Sequence, residues 1–275
     1  MEWRCVTCGQ TASGTYCSGC GERRPELSRA ALAHLFADAF ESVLHLDAKL
    51  LVSLRALVTR PGDLTRDYIR GRRKPFVPPL QLFLFCNLIF FVVEPRTGLD
   101  ILAPPLDTQL TQSYGFVTKP IAERYMAKRH LTTEALRGPY FRTTELQARS
   151  LVGLMVPLFA ILLTLVEWRA RRTFVEHVIF SLHLYAAWLL WLSAALIVTA
   201  LIIRVGHVAW TSGTDRTLAI VEFGAVAAYG ALALPATYGE RRWPAVAKAA
   251  LLAVGSYFVM VVYRFILFFT TLAAS

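Results

Sequence analysis

The chain has 275 residues, 55% of them apolar and only 17% charged, with a mean hydropathy of +0.46 and a net charge of +10. Soluble domains average about 45–50% apolar and about 25% charged, so this composition excludes a purely soluble globule and points to a polytopic membrane protein. The positive charge does not call for nucleic acid, and no nucleic-acid partner is expected: residues 1–25 carry Arg4, Arg23 and Arg24 without a basic stripe.

The N-terminus is polar and cysteine-bearing, so no cleavable signal peptide is expected. Four of the five cysteines form two CxxC pairs, Cys5/Cys8 and Cys17/Cys20, each followed by a glycine, Gly9 and Gly21. Two such turns place four thiolates at the corners of a tetrahedron, the arrangement structural zinc prefers. The glycines let the backbone turn behind the second thiolate, a step that often needs a positive φ. A segment this short has no core and needs a metal or disulfides to hold it. A reducing cytosol favours the metal. Zinc held by Cys5, Cys8, Cys17 and Cys20 is the expectation for residues 1–25; iron in a rubredoxin-like site and a dithiol redox pair are the alternatives. With every ligand position filled by cysteine, the metal builds structure and leaves no place for a catalytic water.

Residues 26–75 read as amphipathic, interfacial helices ending in a basic collar. Ser28 is a plausible N-cap. From Leu32 through Leu35, Phe36, Ala39, Phe40, Val43, Leu46, Leu50, Leu54 and Leu57 to Val58, apolar residues recur at three and four, one broad helical stripe. The opposite face carries His34, Asp38, Glu41 and His45, which reads as a solvated face; a second metal site is the lesser alternative. That face lacks the Lys and Arg of lipid-surface helices, which tilts the stripe towards protein packing. Pro61-Gly62 ends the helix, Asp63 can cap a short one to Ile69, and Gly71 precedes the collar of Arg70, Arg72, Arg73 and Lys74.

The uncharged run 76–93 is long enough for a first transmembrane helix, for which roughly 17–25 residues suffice. Cys86 within it reads as a small apolar filler. Gln81 and Asn87 are its strongly polar side chains, candidates for contact with neighbouring helices. Residues 94–150 read as an extracytoplasmic loop with polar helices around 119–137, capped by Thr118. Residues 151–275 read as a four-helix transmembrane region with spans at 151–166, 178–203, 218–238 and 249–271. Basic clusters at 70–74, 169–172 and 241–248 fall on one side of this weave. The bias of Lys and Arg to the cytoplasm then puts the N-terminus inside and the C-terminus outside a cell inner (plasma) membrane. Trp168, Trp210 and Trp243 sit where interfacial aromatics anchor. The fold class is therefore an α-helical integral membrane protein, about five transmembrane helices preceded by a small cytosolic zinc ribbon and an amphipathic helix.

Ionisable groups inside a span are functional candidates. Glu222 and Arg264 lie at similar depth and are expected to pair; snorkelling of Arg264 to the interface is the alternative. His183, near His177 and Glu176, reads as a packing histidine.

The combination of Cys5/Cys8/Cys17/Cys20, His45-Leu46-Asp47, Pro61-Gly62 and Tyr68-Ile69-Arg70-Gly71-Arg72-Arg73 ahead of an apolar span resembles a bacterial membrane-protein family known as domain of unknown function 3667. The likeness covers residues 5–93 and implies an architecture, with no activity attached. No HExxH, GxSxG or P-loop motif is present, which leans against an enzyme. The favoured function is a ribbon that docks a protein partner or braces the bundle, in a protein whose other partners are the lipid bilayer and possible further copies of itself. A small transporter or channel using Glu222 and Arg264, with Asn87 and His183 along its path, is the alternative.

Overall fold

A computed structural model describes residues 2–24, 48–99, 101–169, 172–206 and 212–274, with side chains from 220 onwards in the last stretch. The stripe and polar face expected over 26–47, with Ser28, His34, Asp38, Glu41 and His45, lie outside the described residues, as does Trp210.

The ribbon is a pair of tight hairpins. Strand β1 (Trp3–Arg4) pairs antiparallel with β2 (Thr11–Ala12), Trp3 opposite Ala12 and Arg4 opposite Thr11. A bridge between Tyr16 and Arg23 closes the second hairpin. The indole of Trp3 donates to the Gly14 carbonyl at 2.8 Å and ties down the loop between them.

Helix α1 (Ala48–Thr59) buries Leu50, Ser53 and Leu57 and exposes Leu51, Val52 and Val58. Helix α2 (Asp63–Ile69) follows after Pro61-Gly62. Its N-cap is Gly62, at φ 84°, and not the Asp63 side chain; Asp63 instead pairs with Arg66 at 2.9 Å, one turn on. The first crossing helix, α3 (Pro79–Thr97), starts with proline where the missing N–H costs nothing. Cys86 is fully buried within it, as an apolar filler should be.

Short helix α4 (Leu106–Thr111) and helix α5 (Gly115–Arg129) lead to α6 (Thr133–Leu151). Here the structure departs from the expected loop over 94–150. Helix α6 continues through a 3-10 turn (Val152–Leu154) into α7 (Met155–Val166), so the second crossing element runs over Thr133–Val166. The cap is Thr132, which accepts from the Ala135 amide at 3.2 Å. Thr118 lies inside α5 and donates to the Gln109 carbonyl. The reason for the extension is a narrow stripe at four-residue spacing, Leu136, Tyr140, Thr144 and Ala148, all buried. Tyr140 meets Phe268, and Thr144 meets Thr271, on the last helix. A polar sequence with one buried seam is helical by packing and not by hydropathy.

Helices α8 (Phe174–Gly206), α9 (Ser212–Tyr238) and α10 (Arg242–Ala274) complete the chain. Five helices among the described residues are long and apolar enough to cross a membrane. Helix α3 packs along α8, α9 along α10, and α7 against both α8 and α10. Phe90, Phe159, Phe180, Leu189, Leu192 and Tyr263 fill the centre.

Helix ends alternate. Ser53 of α1 accepts the Val77 amide just before α3, Thr65 of α2 meets His183 near the start of α8, and the backbone at Gly62 touches Ala233 near the end of α9. Lys248 near the start of α10 meets Glu167 at the end of α7. All these contacts form one end of the bundle, the ribbon end. The segment 101–114 lies towards the opposite end, where Ile101 and Leu102 bond to Glu94, Tyr263 and Arg264.

Candidate metal centre

Each CxxC pair builds the same small loop. The Gly9 amide bonds the Cys5 carbonyl at 2.9 Å, and the Gly21 amide bonds the Cys17 carbonyl at 2.7 Å. Both glycines have positive φ, 75° and 70°, the backbone that the sequence reading required of them. The two loops face each other, so that all four Sγ atoms lie within 4.8 Å of one another. Cys5 and Cys20 are 3.5 Å apart, as are Cys8 and Cys17. A tetrahedron with metal–sulfur arms of about 2.3 Å has edges of about 3.8 Å, so the four thiols fit a metal ion.

The ribbon is latched to the collar by a residue that sequence reading passed over. Glu22 is buried, and its Oε2 accepts from Thr7 Oγ1 at 2.6 Å, the Lys74 amide at 2.9 Å and the Arg73 amide at 3.2 Å. One carboxylate therefore joins the first metal loop, the second metal loop and the collar. Beside it, a Cβ added at Gly21 would lie 2.9 Å from Lys74 Nζ. The signal available in the sequence was the acidic residue directly after the second CxxCG, facing four basic residues on the other side of the helical segment.

Below the collar, α2 is a wedge. The Arg73 guanidinium lies over the Tyr68 ring, 5.0 Å from its centroid, and its Nε approaches the Tyr68 carbonyl at 3.5 Å. Leu64, Thr65 and Tyr68 are buried. Thr65 Oγ1 is 2.9 Å from His183 Nδ1, and the Tyr68 ring stands edge-on to the same imidazole. On the other side, Thr237 Oγ1 donates to the Gly62 carbonyl at 3.3 Å. His183 is thus a buried packing partner of α2. His177 is bonded elsewhere, to the Tyr238 hydroxyl at 2.9 Å.

Residues 47–91 match the family described as a protein of unknown function, DUF3667. The matched segment covers α1, α2, the collar and most of α3, the part that connects the cysteine loops to the bundle. Neither the curated proteins nor the solved structures gave a match to this chain.

The remaining candidates lie towards the far end. Arg264 donates from Nη1 to Gln112 Oε1 at 2.7 Å and from Nη2 to the Ile101 carbonyl at 3.0 Å. Glu222 is buried on α9, and no ion pair within 4 Å joins it to Arg264. Asn87 donates to the Arg149 carbonyl at 3.2 Å, which ties α3 to α6. Glu94, buried at the end of α3, accepts the Ile101 and Leu102 amides, and Tyr263 donates to the Leu102 carbonyl. Glu94, Tyr263 and Arg264 together staple the 101–112 segment to the bundle.

Proposed function

We propose that this protein is a multi-pass membrane protein of the inner (plasma) membrane, N-terminus cytoplasmic. In it, a structural zinc ribbon of Cys5, Cys8, Cys17 and Cys20 braces the helix bundle through residues 47–91 and presents a rigid cytosolic surface to a protein partner. The observation that carries this reading is Glu22. A ribbon serving only as a tethered module has no need of a buried carboxylate bonded to the collar's backbone. A brace needs such a bond, and hydrogen bonds to charged groups contribute roughly 1.5–3 kcal/mol each. From there Tyr68 and Thr65 carry the connection to α8, and Gly62 to α9. Four thiolates leave no coordination place for water, so the metal contributes folding energy rather than catalysis.

The test separates metal binding from bracing. Glu22→Ala should keep one metal ion per chain yet expose the collar to trypsin after Arg72 and Arg73 and lower the melting temperature in detergent. Cys17→Ser should lose both the metal and the bracing. An E22A protein with unchanged collar protection and melting temperature would end the bracing reading.

A further inference from the structure

At the ribbon end, a cavity of about 320 Å³ opens between the ends of α7, α9 and α10, lined by Val166, Glu167, Trp168, Arg169, Glu240 and Lys248. Lys248 Nζ lies 2.8 Å from Glu167 Oε2 and also bonds Glu240 Oε1. Glu167 is almost wholly buried, its side chain 1% exposed. The second oxygen of each carboxylate, Glu167 Oε1 and Glu240 Oε2, is shielded from solvent and has no hydrogen-bond partner among the described residues. Buried polar atoms are rarely left so. Around Lys248, two carboxylates face one ammonium, an excess of negative charge inside the cavity that Arg169 balances only from its rim. The cavity therefore suits a cationic group with more than one N–H to give. A divalent metal is disfavoured, because the Lys248 ammonium already sits between the two carboxylates.

The surroundings say how such a group arrives. Trp168 is 71% exposed and Trp243 85% exposed, at the level where aromatic anchors meet headgroups. The Arg169 guanidinium lies 4.9 Å from the Trp168 ring centroid, on the cavity rim. Just inside that level, Leu165 of α7 and Leu251 of α10 face outwards as lipid-exposed apolar side chains do. A positive rim beside a negative pocket, above an apolar wall, matches an amphiphile with an inner ammonium and an outer phosphate. We infer that this cavity binds the headgroup of a primary-amine phospholipid, its ammonium donating to Glu167 Oε1 and Glu240 Oε2 and its phosphate meeting Arg169. The inference is independent of the ribbon's role.

The test uses the full chain, stripped of lipid in detergent, with retained lipid read by native mass spectrometry. Phosphatidylethanolamine should be retained roughly tenfold better than phosphatidylcholine, whose trimethylated nitrogen has no N–H to donate. Phosphatidylglycerol should be retained no better than phosphatidylcholine. Glu240→Gln should bring phosphatidylethanolamine down to the phosphatidylcholine level. Arg169→Gln should weaken both lipids. Glu167→Gln provides a second carboxylate variant should E240Q fold poorly. Free ethanolamine and phosphoethanolamine serve as competitors; displacement of the lipid by either at equal concentration would assign the cavity to soluble amines and overturn the lipid reading. Equal retention of all three lipids, or carboxylate variants that retain phosphatidylethanolamine as the parent does, would leave the cavity to water and overturn the inference.

Discussion

At Gly62, two constraints meet in one residue. Its φ of 84° is a backbone that side chains adopt at a cost, and a Cβ there would lie 2.3 Å from the Ala233 carbonyl oxygen. The strained backbone alone costs about 1–3 kcal/mol, and the clash would push α2 off α9. Gly62→Ala is thus expected to lower the melting temperature in detergent by more than a substitution at exposed Arg70; an equal effect of the two would show that α2 is not seated on α9. Glu167 offers a pH-dependent counterpart. Burial pushes its carboxyl above the usual range, Lys248 opposes the shift and Glu240 adds to it. The folded chain then holds this proton more tightly than the unfolded chain does. The stability it contributes is full below the ordinary carboxylate value of about 4.3 and is lost as pH rises through the raised folded value. In lipid-free protein, the melting temperature of Glu167→Gln relative to the parent should therefore climb as pH is raised from 5 to 8. A falling difference would mean that Lys248 outweighs the effects of burial and of Glu240 on this carboxyl.

At the scale of elements, the ribbon and the collar meet through the Glu22 carboxylate. The hairpins have two-residue strands and a core of little beyond Cys5, Ala12 and Cys17, so a metal ion held by the four neighbouring cysteines would supply most of their folding energy. Chelation should unfold residues 2–24 and release Glu22 from the collar, leaving the far-end staple of Glu94, Tyr263 and Arg264 in place. Hydrogen exchange would check this: amides of Arg73 and Lys74 should lose protection while those of Ile101 and Leu102 keep theirs. Because thiols must shed protons to bind metal, acidification should act in the same direction as the chelator. The CxxC loops were legible in the sequence because their ligands are neighbours along the chain and their glycines have one conformational job. The latch was not, because Glu22 finds its partners about fifty residues away. The same holds for α6. Its hydropathy is that of a surface helix, and only the seam of Leu136, Tyr140, Thr144 and Ala148 against α10 makes it part of a crossing element.

Across the whole molecule, alternation of helix ends gathers the N-termini of α3, α8 and α10 at the ribbon end with the C-termini of α7 and α9. On the proposed reading, in which all five long apolar helices cross, the odd number of crossings would put Cys5 and Ala274 on opposite sides of the bilayer. Reporter tags at the two termini should accordingly answer in different compartments, the N-terminal one in the cytoplasm. Both tags answering from one compartment would contradict five crossings. The basic clusters follow the same geometry, yet they are not uniformly free charge: Lys248 is taken up by Glu167 and Glu240, while Arg169 remains on the rim beside Trp168.

By itself the amino-acid order determined what depends on composition and on near neighbours. The crossing helices followed from runs of apolar residues that water would not tolerate, and the metal loops from two cysteine pairs with their glycines. The three-dimensional packing alone decided which polar groups meet. It set Arg264 against Gln112 and Ile101, set Thr65 against His183, and brought Glu22 to the collar. Each of those meetings joins segments far apart in the chain, where the geometry of packed helices, and not any local preference, selects the partner.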